Sequence, residues 1–111
     1  MKHKYLSVTT SGKGMHVNEN GGNRDSAEDK LDYTLLPIPA LNRITQHYVN
    51  GVKKYKRDNW KKLSTSEDIE RYKQSMFRHL IQYLEGQHNE DHLAALVWNA
   101  MALLYFEEKE D

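Results

Sequence analysis

The fold is decided near the C-terminal end of the chain, where residues 89–105 read NEDHLAALVWNAMALLY. Polar and acidic residues come first, and an apolar run follows that a single amide, Asn99, interrupts. Asn89 is a favourable N-cap, and Glu90 and Asp91 after it suit the positive end of a helix dipole. The stretch therefore predicts a helix that begins after Asn89.

This helix, which we expect to end near Phe106, is apolar on all sides rather than along one stripe. Its apolar residues are Leu93, Leu96, Val97, Ala100, Met101, Leu103 and Leu104. A helix that is apolar all round needs cover on every side, and two other helices of the same chain supply only part of it. We therefore expect a homodimer or a higher homo-oligomer that packs helices into a shared bundle.

A first helix is predicted upstream, in the segment that begins at Leu35. Apolar residues recur there at spacings of three and four, which is typical of one helical face: Leu41, Ile44, Tyr48, Val52 and Tyr55. Pro39 is tolerated in a first helical turn because its missing N–H would have no partner there. Gly51 is expected to kink the helix or to end it near Lys54.

The second helix is predicted from its start and stop signals. Thr65 and Asp68 have the spacing of a capping box, in which each side chain accepts from the backbone of the other. An apolar stripe follows at helical spacing, formed by Ile69, Tyr72, Met76, Leu80 and Tyr83. Gly86 offers a stop, because glycine readily adopts the left-handed conformation that ends helices.

These elements predict an all-α fold, a small bundle of three main helices completed by dimerisation. The helical domain is expected over residues 31–111, after a polar and irregular N-terminal arm over residues 1–30. Residues 10–30 are rich in Gly, Asn and Ser and bury too little to offset their ordering entropy, so we interpret them as a mobile arm or a lid. Residues 4–9 suit a short strand.

Composition excludes several classes of function. The 111 residues carry a formal net charge of zero and no cysteine, which excludes disulfides, thiolate metal sites and cysteine catalysis. Binding of nucleic acid through bulk charge is disfavoured for the same neutral balance. No apolar run approaches the roughly 20 residues that cross a bilayer, and the N-terminus lacks the apolar core of a signal peptide. We expect a cytoplasmic protein that does not associate with membranes.

The first candidate site is the basic stretch GVKKYKRDNWKK at residues 51–62. It holds six cations in twelve residues, interleaved with Tyr55 and Trp60. Cations beside aromatic rings suit the phosphates and base of a nucleotide, or a single-stranded nucleic acid. A solvated basic loop with one aromatic side chain in the core explains the same composition equally well.

A second candidate site lies on the second helix, where Gln74, Arg78, Gln82 and Glu85 share one face by their spacing and His79 lies beside it. Such a face either lines a cleft between helices or is simply solvated. The solvated interpretation is favoured on the spacing alone.

The third candidate site crosses the turn between the last two helices. Glu85, Glu90 and Asp91 supply carboxylate oxygens, which are the ligands that Mg²⁺ prefers. Helix capping explains Glu90 and Asp91 without any metal. His92 and Asn99 lie two turns apart on one face, and a buried asparagine needs partners. Asn99 therefore either bonds across the bundle or contacts a ligand.

Four of these segments, taken in order, resemble the phage and bacterial dATP/dGTP diphosphohydrolase family, which is related to the MazG-like all-α nucleotide pyrophosphohydrolases. The segments are KLDYTLLPIPALNRI, GVKKYKRDNW, SMFRHLIQYLEG and EDHLAALVWNAMAL. The resemblance covers residues 30–108. Each segment is short, but four in the right order and spacing make chance agreement improbable.

The resemblance implies Mg²⁺-dependent cleavage of a deoxynucleoside triphosphate between its α- and β-phosphates, with Mn²⁺ as the alternative ion. It implies a protein in the host cytoplasm if a phage encodes it. The catalytic residues implied are His79 and Asp91, and the metal ligands are Glu85, Glu90 and Asp91. The substrate-binding residues implied are Lys54, Tyr55, Asn59, Trp60, Arg78, His92 and Asn99.

The chain departs from the family pattern at four positions, of which Val52 in place of an alanine is a harmless change. Lys56 replaces a glycine of the basic loop, and Gln74 and Gln87 stand where acidic residues are frequent. The thinner acidic set keeps a second hypothesis open, that of a nucleotide- or nucleic-acid-binding module without catalytic activity. A purely structural helical oligomer is the third.

Overall fold

The computed structural model of the protein describes residues 15–26 and 30–110. The described residues fall into two compact units, one over residues 15–26 and 30–36 and the other over residues 37–110. We refer to them as the N-terminal unit and the helical unit, and we describe each by itself. Every candidate site residue lies in the helical unit.

The N-terminal unit contains a β-hairpin. Strand β1 (Met15–Val17) pairs antiparallel with β2 (Asn23–Asp25). The side-chain oxygen of Asn18 holds the turn by accepting from the backbone N–H groups of Asn20 at 2.9 Å and Gly22 at 2.8 Å. Side chains that bond to nearby backbone groups favour such turns.

The same unit ends in a 3-10 turn, Tyr33–Leu35, capped by Asp32, whose carboxylate accepts from the N–H of Thr34 at 3.0 Å. The N-terminal arm predicted as irregular over residues 1–30 therefore contains a short hairpin. The strand predicted over residues 4–9 lies outside the described residues.

Helix α1 spans Ile38–Lys54 and begins with a proline in its first turn, as predicted. It runs through Gly51 without interruption, and the N–H of Tyr55 still donates to the Gly51 carbonyl at 2.8 Å. Gly51 therefore does not interrupt the helix, and the predicted end near Lys54 is confirmed. The last part of the predicted apolar stripe is not core, since Val52 is 48% exposed and Tyr55 is 56% exposed.

Helix α2 spans Ser66–Leu84 and begins with the predicted capping box. The hydroxyl of Thr65 accepts from the N–H of Asp68 at 3.1 Å, and the Asp68 carboxylate accepts from the N–H of Thr65 at 3.2 Å. Gly86 follows the helix with a φ of +76°, which confirms it as the stop signal. A 3-10 turn, Asn59–Lys62, lies between α1 and α2.

Helix α3 spans His92–Lys109, and its N-cap is Asp91 rather than Asn89. The Asp91 carboxylate accepts from the N–H of Ala94 at 3.1 Å. The prediction of Asn89 as N-cap is wrong because the Asn89 side chain bonds to the His92 ring instead, at 2.8 Å. Glu90 and Asp91 consequently precede the helix rather than lying in its first turn.

Helix α3 packs against both α1 and α2, and this confirms the all-α three-helix fold. Its buried apolar side chains are small, with Ala94, Ala95 and Ala102 each 4% exposed or less, and the polar side chains of His92 and Asn99 are buried with them. Larger rings fill the C-terminal half of the interface. We call them the aromatic cluster: Tyr48, Trp60, Tyr72, Trp98, Tyr105 and Phe106.

Much apolar surface of the helical unit is not covered within one chain. A stripe on α2 at helical spacing comprises Phe77, Leu80, Ile81 and Leu84, and Leu84 is 69% exposed. The expected homo-oligomer stays a prediction. Within the described part of the chain, no helix is both long and apolar enough to cross a bilayer.

Candidate functional site

A cavity of about 890 Å³ lies in the helical unit. Its walls are α1, the loop that follows α1, and the residues around the start of α3. We refer to it as the large cavity. Its volume is in the range of pockets that enclose a nucleotide-sized ligand.

One face of α1 lines the large cavity with polar side chains. Arg43, His47, Asn50, Gly51 and Lys54 all border it, and their spacings of three, four and one residue place them on one helical face. Sequence reasoning missed Arg43 and His47 because it followed the apolar stripe of α1. Arg43, His47 and Asn50 have the spacing i, i+4 and i+7, and this pattern of one polar helical face would have identified them.

The loop after α1 supplies a second wall. Tyr55, Lys56, Arg57 and Asn59 border the cavity, beside Asp58, which has a φ of 60°. In the part of the chain that the structure describes, Asp58 is the only non-glycine residue with positive φ. Lys56, which replaces the family's glycine, therefore needs no left-handed backbone.

Aromatic rings form the floor of the large cavity and belong to the core at the same time. Trp60 and Trp98 both border the cavity, and their ring centroids lie 6.0 Å apart in an edge-to-face arrangement. Trp60 also packs on Tyr105, with centroids 5.0 Å apart. The two interpretations of Trp60, a core residue and a ligand contact, are thus compatible.

Asp91 joins the large cavity to α1 through an ion pair with Arg43. The guanidinium donates from Nε to Oδ2 at 3.0 Å and from a terminal nitrogen to Oδ1 at 2.6 Å. These bonds to Arg43 are the main reason that the pKa of Asp91 is held below its usual value. Asp91 is therefore an ionised carboxylate whose two oxygens already have partners.

His47 lies near this pair, with its ring centroid 5.7 Å from that of Trp98. Burial lowers the pKa of His47, and the charges of Glu90 and Asp91 oppose that shift. A neutral imidazole at neutral pH follows, with the capacity to accept a proton at the cavity wall.

A second polar group connects α2 to the start of α3. The Nδ1 atoms of His79 and His92 are 2.9 Å apart, and His79 Nδ1 is 3.9 Å from Glu90 Oε1. His92 Nε2 bonds to Asn89 Oδ1 at 2.8 Å, and because an amide oxygen only accepts, Nε2 carries the hydrogen. Burial is the largest cause lowering the pKa of His79, so its ring is neutral at neutral pH.

The three acids expected to bind Mg²⁺ are not brought together. Glu85 accepts from the side chain of Gln87 at 2.8 Å, and Asp91 is engaged by Arg43 and by the first turn of α3. Among residues 15–26 and 30–110, the one group of metal-ligating side chains with converging donor atoms is His79, Glu90 and His92. Two imidazoles and one carboxylate do not fit Mg²⁺, which prefers oxygen ligands.

Three residues expected to bind substrate lie away from the large cavity. Arg78 donates to the hydroxyl of Ser75 at 3.3 Å. Asn99 is 4% exposed and donates to the Ala95 carbonyl at 2.8 Å and to the Ser75 hydroxyl at 3.3 Å. Asn99 thus makes the hydrogen bond across the bundle, and His92 borders a separate cavity of about 260 Å³.

The remaining predicted substrate residues do come together. Lys54, Tyr55, Asn59 and Trp60 all border the large cavity, together with Glu90 and Asp91. No curated protein and no solved structure matches the chain. The family model described as dATP/dGTP diphosphohydrolase, N-terminal, matches residues 20–111. This match spans most of the sequence, and the chain belongs to that family.

Proposed function

We propose that the helical unit binds a purine deoxynucleoside triphosphate in the large cavity and hydrolyses it to a monophosphate and pyrophosphate. The observation that carries the proposal is the composition of that cavity, in which cations and aromatic rings border one space of nucleotide size. The purine preference comes from the description of the family to which the chain belongs.

The charges at the cavity favour a polyanion. Of the acids that border it, Asp91 is paired with Arg43, and Asp58 lies 3.3 Å from Lys61 Nζ. These pairs offset the negative charges and leave Glu90 as the acid without a lysine or arginine partner among the described contacts. Mg²⁺ carried by a triphosphate would meet that carboxylate.

Three further cations border the cavity and suit the phosphates. Lys54, Lys56 and Arg57 follow one another along the end of α1 and the loop. Lys54 Nζ lies 5.4 Å from the centroid of the Tyr55 ring. Charge-assisted hydrogen bonds from such cations are roughly twice as strong as neutral ones, and they stabilise the charge that develops on a departing pyrophosphate.

The base would contact the aromatic side of the cavity. Tyr55 is largely exposed and free to stack, and the Trp60 ring is fixed by the aromatic cluster. Asn59 and Asn50 supply amides beside these rings, which can both donate to and accept from the edge of a base. Stacking gives affinity, and the amides give selectivity.

The two predicted catalytic residues take different roles. Asp91, with both oxygens bonded, is a positioning residue that holds Arg43 at the cavity. His79 is neutral and half-buried at the interface of α2 and α3, and it does not border the large cavity. Its part in hydrolysis stays a prediction.

A direct assay tests the proposal. Purified protein is incubated with each of the four deoxynucleoside triphosphates and Mg²⁺ or Mn²⁺, and chromatography quantifies monophosphate and pyrophosphate. We expect equal amounts of the two products from dATP or dGTP. Release of triphosphate instead, or no product from any nucleotide, would contradict the proposal.

Matched variants connect activity to the cavity. Lys54→Met removes a cavity cation and keeps an apolar stem, and we expect kcat/KM to fall about tenfold or more. Lys73→Met is the control. It makes the same change on α2, where Lys73 Nζ lies 3.1 Å from a Glu70 carboxylate oxygen and does not border the large cavity. Tight nucleotide binding without turnover would instead favour a binding module without catalytic activity. The small number of unpaired carboxylates at the cavity also favours that alternative, because few are left to bind a catalytic metal ion.

A further inference from the structure

His79 and His92 do not border the large cavity, so nucleotide binding does not explain why they lie beside Glu90. The three residues come from the C-terminal half of α2, from the turn after it and from the first position of α3. Their donor atoms all lie within 4.8 Å of one another. Ligands of a tetrahedral ion with bonds of about 2.1 Å are about 3.4 Å apart, so only small side-chain movements separate this group from a coordination shell.

The hydrogen bond from His92 to Asn89 prepares one of these ligands. Because Nε2 of His92 donates to Asn89 Oδ1 at 2.8 Å, Nδ1 is the ring nitrogen that is left to bind an ion. That atom is 2.9 Å from His79 Nδ1, which donates to it here, so an ion that binds both Nδ1 atoms requires the His79 hydrogen to move to Nε2. Metal-binding histidines are commonly fixed in this way, through a hydrogen bond from the second ring nitrogen to an oxygen.

Burial of the three side chains increases from the carboxylate to the imidazoles. His92 is 2% exposed, and the side chain of His79 is 12% exposed, whereas that of Glu90 is 52% exposed. Two buried imidazoles beside an exposed carboxylate leave the group accessible to water on the side of Glu90. Glu90 and His92 also border the smaller cavity, through which an ion and a further ligand can enter.

We propose that His79, Glu90 and His92 bind a divalent first-row transition metal ion, with Zn²⁺ or Co²⁺ as the species that suit this donor set. Imidazole nitrogen binds these ions far better than it binds Mg²⁺. Three protein ligands leave at least one coordination position for water or another ligand. The proposal does not rest on nucleotide hydrolysis, since an ion here would join α2 to α3 in the absence of any nucleotide.

Metal binding is measured directly on the full-length chain without an affinity tag. Protein treated with a chelator and exchanged into buffer is titrated with Co²⁺ by visible absorption and with Zn²⁺ by calorimetry. We expect one ion per chain, a visible Co²⁺ spectrum of low-symmetry coordination, and a higher unfolding temperature with metal. A wild-type protein that binds neither ion would overturn the proposal.

Four variants assign the ligands, which is necessary because the chain has six histidines. Glu90→Gln and His79→Ala should each weaken binding at least tenfold. Glu85→Gln and His88→Ala change an exposed acid and an exposed histidine of the same turn and should bind as the wild type does. Binding that Glu90→Gln leaves unchanged would overturn the assignment. This variant decides the matter even if His79→Ala does not fold, because the Glu90 side chain is half exposed.

Asn89 provides a test of the positioning bond. Asn89→Ala should weaken Zn²⁺ binding about tenfold, as is usual when such a partner is removed. Asn89→Asp keeps an oxygen acceptor and should restore the affinity, which a merely structural role of the amide would not require. None of these measurements contains nucleotide, so their failure is distinguishable from a failure of the hydrolysis assay.

Discussion

Helices α2 and α3 contact each other at both ends of α3, but the two ends use different kinds of interaction. At the C-terminal end, α2 and α3 meet through the aromatic cluster, in which the rings of Tyr72 and Phe106 stack with centroids 5.8 Å apart. At the N-terminal end they meet through the imidazoles of His79 and His92. Burial of rings is non-directional and contributes most of the stability, whereas the polar end depends on directed bonds that a ligand can replace.

The largest loss of stability, at the aromatic end, is expected from substitution of Trp98. Its ring packs against those of His47, Tyr48, Trp60 and Tyr72. Trp98→Ala should lower the free energy of unfolding by about 3 kcal/mol, because it removes a large ring and leaves a cavity. Urea denaturation followed by circular dichroism measures the change.

A control for Trp98 is available on the same helix. Leu104 is 57% exposed, and Leu104→Ala should change the free energy of unfolding by roughly 0.5 kcal/mol or less in the isolated chain. Equal effects of the two substitutions would show that the aromatic cluster is not the main source of stability.

A smaller effect is expected at Tyr72, whose hydroxyl donates to the Trp60 carbonyl at 2.9 Å. Tyr72→Phe removes this bond within the aromatic end and should cost about 1 kcal/mol. The same variant at Tyr33, which is 71% exposed, is the control and should be neutral. Denaturation midpoints of the two variants measure the difference. Equal midpoints would show that the Tyr72 hydroxyl does not stabilise the fold.

Tyr72 also gives the aromatic end a pH dependence. Burial, and to a smaller degree the charge of Asp68, raises the pKa of Tyr72 from 10.0 to about 12. The neutral phenol therefore contributes stability that is fully present below pH 10 and is lost as the pH rises towards about 12. The wild type should lose more stability than Tyr72→Phe across this interval, and a parallel loss in both proteins would contradict the assignment.

The smallest effect on stability is expected for the ion pair at the polar end. The side chains of Arg43 and Asp91 are 60% and 38% exposed, so water screens the pair strongly. Arg43→Gln should cost about 1 kcal/mol or less, and less still at high salt. Its effect on nucleotide affinity should be larger than that of Arg71→Gln, a control on an exposed arginine of α2. Equal nucleotide affinities of the Arg43→Gln and Arg71→Gln variants would show that Arg43 does not contribute to nucleotide binding.

The sequence predicted the elements whose signals are local. The capping box of Thr65 and Asp68, the proline at the start of α1 and the glycine after α2 each act over four residues or fewer, and each is confirmed. The start of α3 was misplaced because Asn89 and Asp91 are equally good caps. The choice between them is made by the ring of His92, whose position depends on α2.

The candidate site was predictable only in part for the same reason. Lys54, Tyr55, Asn59 and Trp60 are close in sequence, so their clustering at one cavity follows from the loop itself. Arg43 meets Asp91 across 48 residues, and no pattern in the sequence announces that contact. The metal site of Glu85, Glu90 and Asp91 stays a prediction, and spacing alone does not reveal that other side chains already bond to Glu85 and Asp91.

The short connection between α2 and α3 has a consequence for the order of folding. His79 and His92 are 13 residues apart in the chain, whereas the ion pair of Arg43 on α1 with Asp91 closes a loop of 48 residues, and the ring of Tyr48 meets that of Trp98 across a similar separation. Because closure entropy grows with the logarithm of loop length, the longer closure costs about 1 kcal/mol more. The helical hairpin of α2 and α3 is thus the natural nucleus, and α1 joins it late. Substitutions in that hairpin should slow folding, while substitutions in α1 should mainly accelerate unfolding.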